Sequence, residues 1–304
     1  MPVETIDRLL PSVPDEARRI GHGVDDLFAF HLRDPGDGRA RLFEAMRYAA
    51  LGGGKRIRPL LTVASARLFA VDEGRAIRAG SAIEAIHVYS LIHDDLPCMD
   101  DDDLRRGRAT VHKAYDEATA VLAGDCFHDL AFEIMADPAT HEDPFVRCEL
   151  LLGLARASGL DGMGGGQMLD LAAQGQALDL AAITRLQQLK TGALIEFSVE
   201  AACIMGRLPE ESRTSCRGYA RNIGLAFQIA DDLIDHCGDE GAAGKRVGKD
   251  AGAGKATFVS LLGEERARRQ AAMLVDQAVE HLANFGQEAD LMRAIARYVT
   301  ERDR

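Results

Sequence analysis

The chain has 304 residues, 47% of them hydrophobic, which is enough for a large core. Aromatics make up only 5% and Trp is absent, a balance that favours helices over sheets. With 36 basic against 48 acidic residues the net charge is −12, which argues against a nucleic-acid or anionic-membrane surface. An anionic ligand therefore has to be met by local basic clusters or by metal.

The opening stretch MPVETIDRLLPSVPDEARR is polar, broken by Pro11 and Pro14, and lacks the apolar run of a secretory leader. Six cysteines, at 98, 126, 148, 203, 216 and 237, form no CxxC pair. Reduced thiols and a cytoplasmic location are expected. No stretch reaches the ~18 uninterrupted apolar residues of a membrane span, so no stable membrane insertion is expected. The closing VTERDR carries no lipidation signal.

Apolar spacing predicts helices over 40–51, from Pro59 to about Phe69, and over 79–95, 117–136, 145–158, 179–206, 210–236, 256–283 and 287–301. Residues 79–95 are apolar nearly all round except Glu84 and the acidic end, the pattern of a helix buried inside a bundle. Pro97 is expected to end it or kink it. Residues 52–54, 100–110, 162–166 and 238–254 read as loops, none of them an interdomain hinge. No strand alternation of useful length and no internal repeat is visible. The expectation is all-α: a single domain over 1–304, a bundle of roughly ten or more helices around a central cavity.

Within ten residues of the segment SLIHDDLPCMDDDDLRR stand Asp94, Asp95, Asp100, Asp101, Asp102 and Asp103. A second acidic knot, Asp231, Asp232 and Asp235, closes FQIADDLID. Carboxylates packed so closely repel one another, and hard divalent cations relieve them. Both knots fall near predicted helix C-termini, where each Asp is unfavourable by ~0.3–1 kcal/mol. A cation at both places is the economical reading; for Asp101–Asp103 a solvated charge run explains the pattern equally well. Mg²⁺ held by a few carboxylates shares its other positions with water and phosphate, so the knots point to a metal–diphosphate site. Asp231 and Asp235 share a helical face. Asp94 and Asp100 cannot share one, but a loop after Pro97 can turn Asp100 back toward Asp94.

The run Gly52–Pro59, GGGKRIRP, lets backbone approach a ligand while Lys55 and Arg58 supply charge suited to phosphate. It is not a Walker A loop, since Arg56 stands where Ser or Thr should follow the lysine. A basic surface turn is the plainer alternative. Arg105 and Arg106 either pair with the preceding aspartates or reach phosphate oxygens. Lys190-Thr191-Gly192 places a glycine inside a helical pattern at a cost of ~1 kcal/mol, which signals a bend or a close approach. His87 lies two turns before Asp94 on one face, a position a satisfied core histidine also fits. No His/Cys set has zinc spacing.

Together these residues resemble the trans-isoprenyl diphosphate synthases, most closely their bacterial farnesyl diphosphate synthase branch. The resemblance runs from GGGKRIRP through GGQMLDL (Gly165–Leu171) and KTGALIEFS to the C-terminal helices. HDDLPCMDDDDLRRG matches the longer first aspartate-rich motif of that family, and FQIADDLID the second. The resemblance implies an isoprenoid synthase fold, a homodimer and three Mg²⁺ ions. By position, Asp94 and Asp100 would bind two ions, with Asp95 in the same motif, and Asp231 the third, supported by Asp232 and Asp235. Arg105, Lys190, Lys245 and Lys255 would hold the allylic diphosphate. Lys55, Arg58, His87 and Arg106 would bind isopentenyl diphosphate without metal. Thr191, Gln228 and the Lys190 carbonyl would soften the allylic cation.

The implied reaction joins isopentenyl diphosphate to dimethylallyl and then geranyl diphosphate, giving (2E,6E)-farnesyl diphosphate and pyrophosphate. Tyr89, five residues or ~7.5 Å before Asp94 along the helix, would floor the product tunnel, and its neighbour Ser90 adds no bulk there. Tyr89 as an ordinary core residue stays open. So do a geranylgeranyl diphosphate synthase, a class I terpene cyclase and a non-catalytic subunit. A cyclase would carry a different second metal motif, and a non-catalytic subunit has no reason to keep both aspartate motifs.

Overall fold

The computed structural model describes residues 10–173, 175–176, 178–237 and 257–301. They form α1 Val13–His31, α2 Ala40–Ala50, α3 Ile57–Arg67 and α4 Glu73–Asp94. A two-residue hairpin follows, β1 Leu104–Arg105 and β2 Arg108–Ala109, in register Leu104↔Ala109 and Arg105↔Arg108. The remaining helices are α5 Val111–Ala114, α6 Glu117–Ala136, α7 Pro144–Ser158, α8 Met163–Ala172, α9 Leu180–Gln187, α10 Ala193–Met205, α11 Thr214–Cys237, α12 Phe258–Leu262, α13 Glu264–His281 and α14 Asp290–Glu301. The fold is all-α, as its composition predicts. No helix among the described residues is long and apolar enough to cross a membrane.

Helix α4 is the hub, packed against α3 and α6. Asp72 caps its start by accepting the Arg75 amide at 3.0 Å. Its buried side includes Ala76, Ala79, Gly80, Ala82 and Ala85, small residues that let neighbours come close. At Gly80 an added Cβ would lie 2.8 Å from Pro59 Cα, so α3 crosses there at backbone distance. Larger side chains fill the layers on either side. Phe28, Phe127, Leu60, Leu61, Ile83, Ile86 and Ile134 are fully buried, each contributing about 1.5–3 kcal/mol by leaving water. Phe28 of α1 meets Phe127 of α6 edge to face at 5.9 Å. Across the other half, α11 packs on α13, and Tyr219, fully buried, donates its hydroxyl to the Met292 carbonyl at 2.8 Å.

Several expected boundaries move. The polar opening is a helix from Val13, with Pro14 in the first turn, where its missing N–H costs nothing. Residues 162–166 are not a loop throughout, because Gly164, Gly165 and Gly166 lie inside α8. The expected helix 179–206 is divided by a π-helical turn, Gln188–Gly192. The expected helix 256–283 breaks at Gly263, whose φ of +77° needs glycine. The loop 100–110 contains the small hairpin, where Arg106 and Gly107 both take positive φ.

Candidate active site

Helix α4 delivers the first acidic knot. It ends at Asp94, and the chain after Pro97 folds back: the Asp100 amide donates to the Asp94 carbonyl at 2.8 Å and the Asp102 amide to the Asp95 carbonyl at 3.2 Å. Burial raises the Asp94 carboxyl to about 6. Its like-charged neighbours Asp100 and Asp95 add to the rise, while Lys190 and Arg105 oppose it. All five charged groups therefore share one space. Asp95 is buried and already engaged, since Arg105 grips it through Nε at 2.9 and 2.8 Å and through a terminal nitrogen at 2.6 Å.

The second knot lies on α11, facing the π-turn. An added Cβ on Gly224 would lie 3.3 Å from Gly192 Cα, so the two backbones nearly touch. That approach brings Gln228, one turn on, to Thr191, whose hydroxyl donates to the Gln228 side-chain oxygen Oε1 at 3.3 Å. Gln228 in turn donates to Asp232 at 3.0 Å, and Asp232 accepts the Phe258 amide at 2.9 Å. Asp232 is buried and ties α12 to α11, whereas Asp231 and Asp235 are partly exposed. The glycine of KTG thus serves a helix–helix contact. The π-turn itself inserts an extra residue that re-aims Lys190 and Thr191, a device common at functional sites.

Lys190 pairs with Asp170 of α8 at 2.6 Å. Gly166 makes this geometry feasible, because a Cβ there would collide with the Lys190 backbone nitrogen. Asp170 carries no assigned role in the sequence reading. Its signal was available, as it sits in the GGQMLDL segment that supports the resemblance.

The basic loop before α3 divides its labour. Arg56, in left-handed conformation at φ 47°, turns inward and pairs with Glu84 at 3.0 Å and Asp25 at 2.6 Å, besides the Ala50 carbonyl. Arg58 has a buried Nε with no hydrogen-bond partner among the described residues. Burial lowers its affinity for the proton, the charge of Arg106 adds to this, and Glu84 and Asp231 oppose it. His87 is pushed well below its ordinary range by burial, then by Arg58, Arg106, Arg105 and Arg56, so its imidazole is neutral near pH 7. Arg106 donates to the Gly53 carbonyl, and an added Cβ on Gly54, already at φ +148°, would lie 2.6 Å from its guanidinium. Lys55 is exposed on the rim of a cavity of ≈ 280 Å³ that Arg18, His22 and Tyr298 also line. Tyr89 is partly buried, and the Ser90 hydroxyl donates to the His87 carbonyl at 2.9 Å. Lys245 and Lys255 lie outside the described residues.

The structure therefore gathers Asp94, Asp95, Asp100, Arg105 and Lys190 at one place; Arg58 lies within reach of the charges of Arg106 and Asp231, and His87 within reach of those of Arg58 and Arg106. Among the described residues, no three His, Cys, Asp or Glu side chains are close enough together to hold a metal by themselves. The donors present nonetheless fit magnesium. They are hard carboxylate oxygens, one of them desolvated and crowded, and Mg²⁺ uses one or two carboxylates with water and phosphate. The unpartnered Arg58 Nε fits an anion on the facing side.

An all-helical frame with paired acidic knots and a basic pocket defines an enzyme of diphosphate chemistry. The polyprenyl synthetase family model matches residues 39–298, and the chain belongs to that family. With it stands the expectation of a transferase of prenyl groups. The chain is 44% identical over 266 residues to farnesyl diphosphate synthase of Escherichia coli (strain K12), covering 86% of this chain and 89% of that one. It is similar to the apo crystal structure of an FPP/GFPP synthase from Zymomonas mobilis, with TM-score 0.88, 58% identity and coverage of 95% and 99%. It is also similar to a geranyltransferase of Helicobacter pylori complexed with magnesium and isoprenyl diphosphate, with TM-score 0.82, 30% identity and coverage of 95% and 96%.

Proposed function

We propose that the chain is a farnesyl diphosphate synthase that joins isopentenyl diphosphate to dimethylallyl and then geranyl diphosphate. The observation that carries this reading is a desolvated carboxyl, Asp94, crowded by Asp100 and Asp95 with Lys190 and Arg105 beside it, together with a buried Arg58 Nε that has no hydrogen-bond partner among the described residues. One side suits a metal-bound diphosphate and the other a diphosphate bound by the protein alone. The whole chain, 1–304, works as one polyprenyl synthase domain.

Asp94, Asp100 and Asp231 would hold three magnesium ions, with Asp95, Asp232 and Asp235 supporting them. Magnesium bound there supplies positive charge to the departing pyrophosphate. Lys190 and Arg105 hold the same diphosphate from the protein side, joined by Lys245 and Lys255. Thr191, Gln228 and the Lys190 carbonyl turn partial negative charge toward the allylic carbon as its bond to oxygen breaks. Lys55, Arg58, His87 and Arg106 fix isopentenyl diphosphate so that its double bond meets that carbon. Neutral His87 donates one N–H to phosphate without adding charge. The released pyrophosphate accepts the proton that restores the double bond. Exclusion of water protects the cation from quenching. Tyr89 floors the space for the growing chain and stops it at fifteen carbons.

The enzyme works in the cytoplasm as a homodimer. Leu122 on α6, Phe145 and Leu152 on α7, and Leu160 just beyond are 53%, 82%, 51% and 92% exposed, large apolar side chains on two adjoining helices that a second copy would cover. Sedimentation equilibrium should give twice the chain mass; a monomer at micromolar concentration contradicts the dimer.

The test of activity is incubation of purified protein with labelled isopentenyl diphosphate and dimethylallyl diphosphate, with and without Mg²⁺, followed by chromatography of the dephosphorylated products. Mg²⁺-dependent farnesol is the expected result. Geranylgeraniol as main product would keep the chemistry and remove the Tyr89 stop. No condensation would reject the reading.

A further inference from the structure

Tyr89 does not stand alone. Two imidazoles meet its ring edge to face: His93, one turn later on α4, at 5.6 Å and 79°, and His128, across on α6, at 5.4 Å and 84°. The His128 ring lies on Phe132 at 5.0 Å, and its Nδ1 is 3.3 Å from Asp129 Oδ1. His93 is fixed independently. Its Nε2 lies 3.0 Å from the Val121 carbonyl oxygen, and its ring fills the space over Gly124, where any Cβ would collide with it. His93 is thus seated on α6 backbone, and Tyr89 is clasped between a ring of its own helix and a ring of the next.

A tyrosine ring turns about χ1 unless neighbours hold it. The floor of a prenyl tunnel has to resist a hydrocarbon chain pressing on it, so bulk alone is insufficient. From this clasp we infer that His128 is a positioning residue for product length: it locks the Tyr89 ring across the path of the growing prenyl chain. The inference rests on the proposed role of Tyr89 as that floor. Within α6, His128 has the side chain that reaches the Tyr89 ring face-to-edge, while Phe132 backs it from the next turn. Nothing in the motifs marks this position, since it lies in an ordinary helical stretch, AGDCFHDLAFEIM.

The experiment compares prenyl alcohols made by wild type, His128→Ala, His128→Phe, Tyr89→Ala and the double variant Tyr89→Ala/His128→Ala, all with isopentenyl and geranyl diphosphates and Mg²⁺. The readout is the ratio of twenty- to fifteen-carbon product, which a general loss of stability does not move. Removing one edge contact should raise the ratio about three- to tenfold in His128→Ala. His128→Phe, which restores a ring edge, should return it to near wild type. The same His128→Ala change should add nothing once Tyr89 is alanine. A longer product from Tyr89→Ala with no change in His128→Ala would overturn the inference and leave the Tyr89 floor standing. An unchanged product from Tyr89→Ala would remove the floor, and the inference with it. Equal lengthening by His128→Ala in both backgrounds would make His128 part of the wall and not a positioning residue.

Discussion

Arg56 gives its guanidinium to Glu84, Asp25 and the Ala50 carbonyl, whereas Arg58, two residues on, keeps a buried Nε with no hydrogen-bond partner among the described residues. Both stand in one basic run, and the sequence shows only that arginines alternate there. Which of them turns inward depends on Glu84, a buried acid on α4 that needs a counter-charge. The consequence is separable by mutation. Arg56→Ala leaves Glu84 buried and unpaired, and thermal unfolding should report a loss of about 3–5 kcal/mol. Arg58→Gln should leave stability nearly intact and raise the KM for isopentenyl diphosphate about ten- to a hundredfold, as expected for one charge-assisted contact. Stability loss in Arg58→Gln with unchanged KM would reverse the two assignments.

Asp94 carries the pH dependence at this scale. Its folded value lies at about 6, above the ordinary 3.8. Between those values the unfolded chain has already released this proton while the folded chain retains it. Without metal, stability therefore falls as pH rises from about 4 to about 6. Magnesium needs the ionised carboxylate and competes with the proton. The rise in melting temperature on adding Mg²⁺ should accordingly be larger at pH 7.5 than at pH 5. An equal rise at both values would remove Asp94 from the metal site.

At the scale of elements, the π-turn Gln188–Gly192 shows what periodicity leaves out. Lys190-Thr191-Gly192 announced a disturbance in the helix, but not its kind. The extra residue is set by tertiary contacts: Gly166 of α8 against the Lys190 backbone, and Gly224 of α11 against Gly192. The same contact explains why residues 162–166 read as a loop. Glycine is a poor helix former, yet here α8 needs its missing side chain more than its propensity. Gly166→Ala should thus push α8 from the π-turn, break the Lys190–Asp170 pair and lower kcat by about tenfold or more, with far-UV helicity preserved. Full activity in that variant would show the turn to be incidental.

Over the whole molecule, the acidic knots, the basic loop and most helix spans were legible because each is local: an apolar period, a proline stop, a charge placed against a helix dipole. The fold-back of Asp100 followed from Pro97 alone. What was not legible depends on partners distant in sequence. Asp232 anchors the start of α12, and Asp170 holds Lys190. Neither of these pairings follows from spacing. The helix Val13–His31 was hidden by its polar face and by Pro11 and Pro14 near its start, although Pro14 in a first turn is compatible with a helix.

The central claim is a magnesium-dependent prenyl transfer that stops at fifteen carbons. Its most direct test is the kcat/KM of the full chain for dimethylallyl, geranyl and farnesyl diphosphates as primers, with isopentenyl diphosphate saturating, in Mg²⁺ and in EDTA. The account predicts efficient use of the first two primers, poor use of farnesyl diphosphate, and no turnover in EDTA. Farnesyl diphosphate accepted as well as geranyl diphosphate, or turnover that survives EDTA, would contradict it.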